Sequence, residues 1–192
     1  MQRYEIISQK IQQLYDQKLS SRDTWADWLY ANHIFVAAEY AKTLANAYGA
    51  RAELPMAGAA LHDIGDAKTS RFDPEHLAIT LAITREFATD AGFDPDDVEL
   101  LVNAVQYHSC HDDEKPYSKE GLIVATADAL THLKTDFYLH AIWANADKMS
   151  LIELKEWTLK KIDRDMYKKI HFEPERIAAQ ADYDALKRLF SC

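Results

Sequence analysis

His62 and Asp63 stand side by side in Leu61-His62-Asp63-Ile64-Gly65, directly after the small-residue run Ala57-Gly58-Ala59-Ala60. The run reads as the end of an apolar helix, an unusual station for an imidazole and a carboxylate. Burying either without a partner is costly, because each gives up its water. A bound cation would offset that cost. Adjacent helical residues diverge by about 100°, yet at a frayed C-terminal turn both side chains can still aim at one ion. Gly65 suits the left-handed position that commonly closes such a helix.

The elements that must position this pair follow from the apolar spacing. Residues 54–64 form the helix that carries it, with Pro55 tolerable in the first turn. Upstream, Ile6, Ile7, Ile11 and Leu14 recur at helical spacing within residues 1–19. Ser20-Ser21-Arg22-Asp23 is a break with capping residues. Residues 25–48 read as one long helix containing His33, closed by Gly49-Ala50. Residues 66–74 read as a polar loop with Lys68 and Arg71, and residues 75–91 as a helix stopped by Gly92. Asp94-Pro95-Asp96-Asp97 opens the next helix with a capping Asp, a proline at the first position and acids at the positive dipole end. It ends near His108. Residues 109–118 form a loop, and residues 121–137 a helix carrying Asp128. Further helices fill residues 138–192, with a capping box at Ser150 and Glu153 and a last helix begun by Pro174. Nothing reads as a strand, a linker or a repeat. The expectation is an all-α fold, a compact multi-helix bundle in one domain over residues 1–192.

Bulk properties narrow the function classes. The 192 residues suffice for one domain with a sizeable core. A net charge of −9 argues against general nucleic-acid binding, which wants a basic surface. Cys110 and Cys192 are too few for a disulfide framework. No apolar run approaches the ~20 residues of a membrane span, and the N-terminus lacks a signal-peptide core. A cytoplasmic protein without a membrane partner is expected. The four tryptophans and ten tyrosines fit core and helix packing better than a base-stacking platform.

The ordered residues His33, His62-Asp63 and Asp128, each within a helical context, resemble the signature of the HD-domain superfamily of metal-dependent phosphohydrolases. The resemblance runs over about residues 25–135, with residues 138–192 as a C-terminal helical extension. It implies that His33, His62, Asp63 and Asp128 hold a divalent metal. Two imidazoles and two carboxylates without thiolates suit Mn, Mg, Fe, Co, Ni or Zn, with coordination positions left open for water. A bound water can then lose its proton near neutral pH and attack phosphorus. In some family members two further histidines hold a second ion. Here His76 opens a helix and His108 closes the next, so one or two ions are implied.

By the same resemblance, Lys68 is cast as a phosphate-binding catalytic residue and Asp66 as the group that orients or deprotonates water. Arg71, with its planar fork, is a second substrate-binding candidate. His132, His140 and His171 lie off the motif and read as structural or solvent-facing. Lys155, Lys160, Lys161, Arg164, Lys168 and Lys169 read chiefly as a solvated face paired with Glu156, Asp163 and Asp165. The implied activity is hydrolysis of a phosphoester or pyrophosphate bond in a small phosphorylated metabolite, a nucleotide first among them. A dinuclear-iron oxygenase and a non-catalytic nucleotide-binding module are the rival readings.

Overall fold

The computed structural model describes residues 2–191; Met1 and Cys192 lie outside the described residues. Helix α1 (Gln2–Tyr15) buries Ile7, Ile11 and Leu14 of the predicted stripe and adds Tyr15, while Ile6 is only partly buried. The single helix expected over residues 25–48 is two, α2 (Thr24–Asn32) and α3 (Ile34–Tyr48). They meet at His33, whose φ of −124° and ψ of −59° leave the helical region. The His33 N–H still donates to Leu29 O at 2.9 Å and its carbonyl still accepts from Ala37 N at 2.8 Å. The chain therefore bends without orphaning its backbone groups, and His33 sits buried at the bend. Gly49, at φ 65°, closes α3 in the left-handed conformation.

Helix α4 (Glu53–Leu61) is buried from Leu54 to Leu61. It packs between α3 and α7 (Lys119–Lys134), which also touch each other. Small side chains permit this closeness. A Cβ on Gly58 would lie 2.8 Å from Val124 Cγ2, so only glycine fits there without repacking. Helices α5 (His76–Asp90) and α6 (Pro95–Tyr107) pack on each other, and α6 also packs on α4. Asp94 has the extended backbone of a capping residue but makes no side-chain cap bond, contrary to expectation. Asp97 in the first turn instead accepts from Arg51 at 2.6 and 2.9 Å.

The end of α4 also departs from expectation. The helix stops at Leu61, and residues Ile64–Ala67 form a separate 3₁₀ turn that buries Asp66. Gly65 is not left-handed; among the described glycines only Gly49 and Gly92 have positive φ. Its role is steric, because a Cβ would meet Thr80 Oγ1 at 2.1 Å. The glycine lets the 3₁₀ turn lie directly against α5.

Helix α7 stops at Lys134, short of the expected residue 137, and Phe137 opens α8 (Phe137–Asn145). Helix α9 (Leu151–Arg164) begins with the expected capping box: Ser150 Oγ accepts from Glu153 N at 3.3 Å, and Glu153 accepts from Ser150 N at 2.8 Å. A wide π-type turn, Asp165–Lys169, extends α9 inward against α7, and α10 (Glu173–Ser191) packs over both. Trp25 and Trp28 stack with each other and with His140, as packing residues should. Trp143, at 69% exposure, does not follow that expectation. Among the described residues the fold is all-α, and no helix is long and apolar enough to cross a membrane.

Candidate metal centre

Three parts of the chain deliver four side chains to one point. The α2–α3 bend brings His33, the end of α4 brings His62 and Asp63, and the middle of α7 brings Asp128. His33 Nε2 lies 3.1 Å from His62 Nε2 and 3.1 Å from Asp128 Oδ1. His62 Nε2 lies 3.4 Å from both Asp63 Oδ2 and Asp128 Oδ1. All four residues named by the motif thus meet, and all four are buried.

A fifth residue joins them that the sequence reading set aside. His132, one helical turn beyond Asp128 on α7, places Nε2 3.0 Å from Asp128 Oδ1. The signal was present in the i, i+4 spacing of Asp128 and His132, which puts both on one helix face. His140 and His171 do stay outside the cluster: His140 stacks on Trp28, and His171 lies 3.6 Å from Cys110 Sγ.

The donor set fits a cation on grounds independent of any motif. Asp128 Oδ1 is buried and has no hydrogen-bond partner, although three imidazole nitrogens surround it. For two of the three, the partners of the opposite ring nitrogens give the reason, while His33 Nδ1 is buried without a partner. His62 Nδ1 contacts Ala59 O at 2.7 Å, and His132 Nδ1 contacts Asp165 Oδ2 at 2.9 Å. Both acceptors require the proton on Nδ1, which leaves each Nε2 a lone pair directed at a carboxylate. Lone pair against carboxylate is repulsive unless a positive ion lies between. Outer partners on carbonyl and carboxylate oxygens are also what metal-bound histidines ordinarily have.

The ionisation state of His132 agrees with this reading, while His62 is pulled the other way by its neighbouring carboxylates. Burial disfavours the charged form of each imidazole. It lowers the His33 pKa and brings His108 and His132 down to about 3. At His62 the Asp63 and Asp128 carboxylates outweigh burial and lift the pKa. Burial alone would raise both acids, but Arg71 and His62 hold Asp63 well below its usual range, and His132 and Lys169 do the same for Asp128.

Of the two second-ion candidates, the structure brings in one. His108, at the end of α6, has Nδ1 2.6 Å from Val105 O and Nε2 4.0 Å from Asp63 Oδ1. It groups with His62 and Asp128 as a third set of ligand atoms. His76 is not brought in: its Nε2 contacts Asp66 Oδ1 at 2.8 Å, because the 3₁₀ turn holds Asp66 against the start of α5.

The loop residues separate likewise. Arg71 Nη2 lies 2.6 Å from Asp63 Oδ2 and also pairs with Asp66. Asp66 is clamped between Arg71 and His76. Lys68 is not brought to the cluster. Its side chain is exposed and borders a different surface hollow, with Lys10 and Glu86, because the 3₁₀ turn rotates it away from Asp63.

A cavity of about 400 Å³ opens over the cluster, walled by Arg71, His76, His108, Lys161, Arg164 and Lys169 among others. The basic run is therefore not simply a solvated face. Lys169 is 1% exposed and pairs with Asp128 Oδ2, which leaves the other oxygen for the ion. Asp165, on the same π-type turn, accepts from Tyr138 and lies 3.5 Å from Lys169. Lys155 and Lys160 do not wall this cavity, and Lys168 pairs with Asp113 at 2.6 Å on the surface.

A helical bundle that gathers His33, His62-Asp63 and Asp128 from separate helices has the architecture of an HD domain. The family model described as HD domain matches residues 30–133, and the chain belongs to that family, a superfamily of metal-dependent phosphohydrolases. Curated relatives are ribonuclease Y of Thermosipho melanesiensis, 32% identical, and of Thermotoga petrophila and Thermotoga maritima, each 30% identical. Each match covers 100 residues, 52% of this chain and 18% of the relative's length. No solved structure matches the chain.

Proposed function

We propose that the chain is a metal-dependent phosphohydrolase that cleaves a phosphoester or pyrophosphate bond in a small phosphorylated metabolite, a nucleotide first among the candidates. The observation that carries the reading is the orphaned Asp128 Oδ1, buried among three imidazoles at the floor of a cavity with cationic walls. His33, His62, Asp63 and Asp128 would hold one divalent ion, and His108 extends the set toward a second. A divalent ion there would supply an acidified water and a positive charge for phosphoryl oxygens. The chain's own groups do the rest. Arg71 offers its fork to phosphate beside Asp63. Lys161 and Arg164 add positive charge over the cavity and draw an anion into an otherwise acidic molecule. Lys169 offsets the charge of Asp128 without entering the reaction.

The relatives are ribonucleases by name, so RNA is the second substrate reading. The net charge of −9 favours the small substrate. The test is elemental analysis of protein purified without chelator, followed by hydrolysis assays on mononucleotides, dinucleotides and RNA with Mn, Mg, Co, Ni, Fe or Zn. About one or two ions per chain, with mononucleotide turnover abolished in Asp63→Ala, is the expected result. Turnover of RNA alone would move the assignment to a nuclease. Oxygen consumption by iron-loaded protein would move it to an oxygenase, and absence of metal after reconstitution would remove the enzymatic reading.

A further inference from the structure

A second cavity of about 330 Å³ adjoins the metal-centre cavity, and Arg71 and Lys161 line both. Its character is the opposite of the first. Trp25 from α2, Phe72 from the loop, Phe137 from α8 and Trp157 from α9 supply aromatic walls, and the small side chains of Ala141 and Ala144 leave the space between them. Asp23 and Asn145 add polar edges to an otherwise apolar lining. Lys161 Nζ stands 5.3 Å from the Phe137 ring centroid, so the shared cation touches the aromatic wall. Phe72 is 73% exposed, with Lys148 Nζ 5.5 Å from its ring centroid. An exposed phenylalanine in that position is free of core packing and can fold over an incoming ligand. Most of the lining, from Phe137 through Lys161, lies outside the segment that matches the family, so this cavity is built by the chain's own C-terminal helices.

We infer that this second cavity is the subsite for the nucleobase of a nucleoside phosphate whose phosphate lies on Arg71 and Lys161 in the first. Flat aromatic walls favour a flat, π-bearing group over an aliphatic one, because stacking is tolerant of which ring is presented. The carboxylate and amide edges suit the donors and acceptors on a base. The two cations at the shared wall fix the polarity of the ligand: anion toward the metal centre, ring away from it. The inference rests on the phosphohydrolase reading for the phosphate and on this cavity alone for the base.

The test uses the metal-loaded full chain and two substitutions that leave the metal centre untouched. Ala144 is half-buried, so Ala144→Trp fills the cavity from its wall without invading the core; Trp157→Ala removes one stacking wall. Calorimetry measures binding of the four ribonucleosides, which carry no phosphate. Hydrolysis is followed on nucleoside 5′-monophosphates and on ribose 5-phosphate. The expected result is nucleoside binding by the unsubstituted protein, weakened at least tenfold in both variants. KM for the preferred monophosphate should rise to match, with ribose 5-phosphate turnover unchanged. Nucleoside binding that disappears in Ala144→Trp supports the subsite even in a protein that hydrolyses nothing, which would strike only the phosphohydrolase reading. Hydrolysis of ribose 5-phosphate as efficient as that of any monophosphate, with no nucleoside bound at millimolar concentration, would overturn the subsite and spare the phosphohydrolase. Nucleoside binding unaltered in both variants would overturn it as well.

Discussion

Asp128 divides its two oxygens between two kinds of positive charge. Oδ2 is committed to Lys169, while Oδ1 is left among His33, His62 and His132. Removing one partner of a buried pair leaves an uncompensated charge, which costs ~3–5 kcal/mol. Lys169→Met should therefore lower unfolding stability by about that amount, read from the urea midpoint, and added divalent metal should recover part of it by neutralising Asp128. An unchanged midpoint would show that Lys169 does not hold the carboxylate. Arg71 and Lys68 make a sharper pair, because the structure places one in the cavity and the other outside it. Arg71→Ala should raise KM for a phosphate ester roughly 10- to 100-fold, corresponding to the ~1.5–3 kcal/mol of a charged hydrogen bond. Lys68→Ala should leave steady-state kinetics unaltered. Equal effects from the two substitutions would refute the division of roles.

At the scale of elements, the site depends on close approach. Gly65 allows the 3₁₀ turn after Asp63 to lie on α5, where Thr80 Oγ1 occupies the space of an absent Cβ. Gly65→Ala should destabilise by ~1–3 kcal/mol, the usual cost of overpacking. Adding Thr80→Ala should return part of that loss, as measured by thermal unfolding; a double variant no better than the single would remove Thr80 as the obstacle. The capping box at α9 has a separable role. Ser150→Ala should cost about 1 kcal/mol, with metal content preserved, since Ser150 lies at the far end of α9 from Arg164 and Lys169. Loss of metal in that variant would mean that α9 as a whole, not its C-terminal turn alone, supports the centre.

Across the whole molecule, the apolar face of the N-terminal helix packs into the core, and a carboxylate on α4 clamps its first turn. Glu53 at the start of α4 accepts from Arg3 N at 2.8 Å, from Tyr4 N at 3.3 Å and from Arg3 Nε at 3.0 Å. Burial works against its charge, but the hydrogen bonds its carboxylate accepts, these among them, outweigh burial and draw its pKa from 4.5 to about 2. A depressed carboxyl contributes stability above its unfolded value, and that contribution is lost as pH falls through the folded one. The linked loss should therefore fall between about pH 4.5 and 2, and Glu53→Gln should flatten the stability profile there. Urea midpoints across this window provide the check, and parallel profiles for the two proteins would refute the clamp. The same scale governs ligand capture. The molecule carries −9 overall, yet Lys161, Arg164 and Lys169 from its C-terminal third stand at the cavity lined by His62, Asp63 and Asp128.

Much of the fold and site is legible in the sequence alone. Small apolar residues around His62-Asp63 marked a buried polar pair, and helical spacing located nearly every element, because both signals are local. His33, His62, Asp63 and Asp128 could be named as a set because their order resembles the HD-domain signature, which is written in one dimension. What the chain alone could not show were contacts between residues far apart in it. The bend at His33 belongs to the meeting of α2 and α3, and the steric role of Gly65 follows from how the 3₁₀ turn packs on α5. His132 was recoverable from its spacing to Asp128, but Asp165, Lys161 and Lys169 reach the centre only because a π-type turn folds the C-terminal helices back onto α7. Helical periodicity records which face of a segment is apolar; which charges that face meets is decided by tertiary packing.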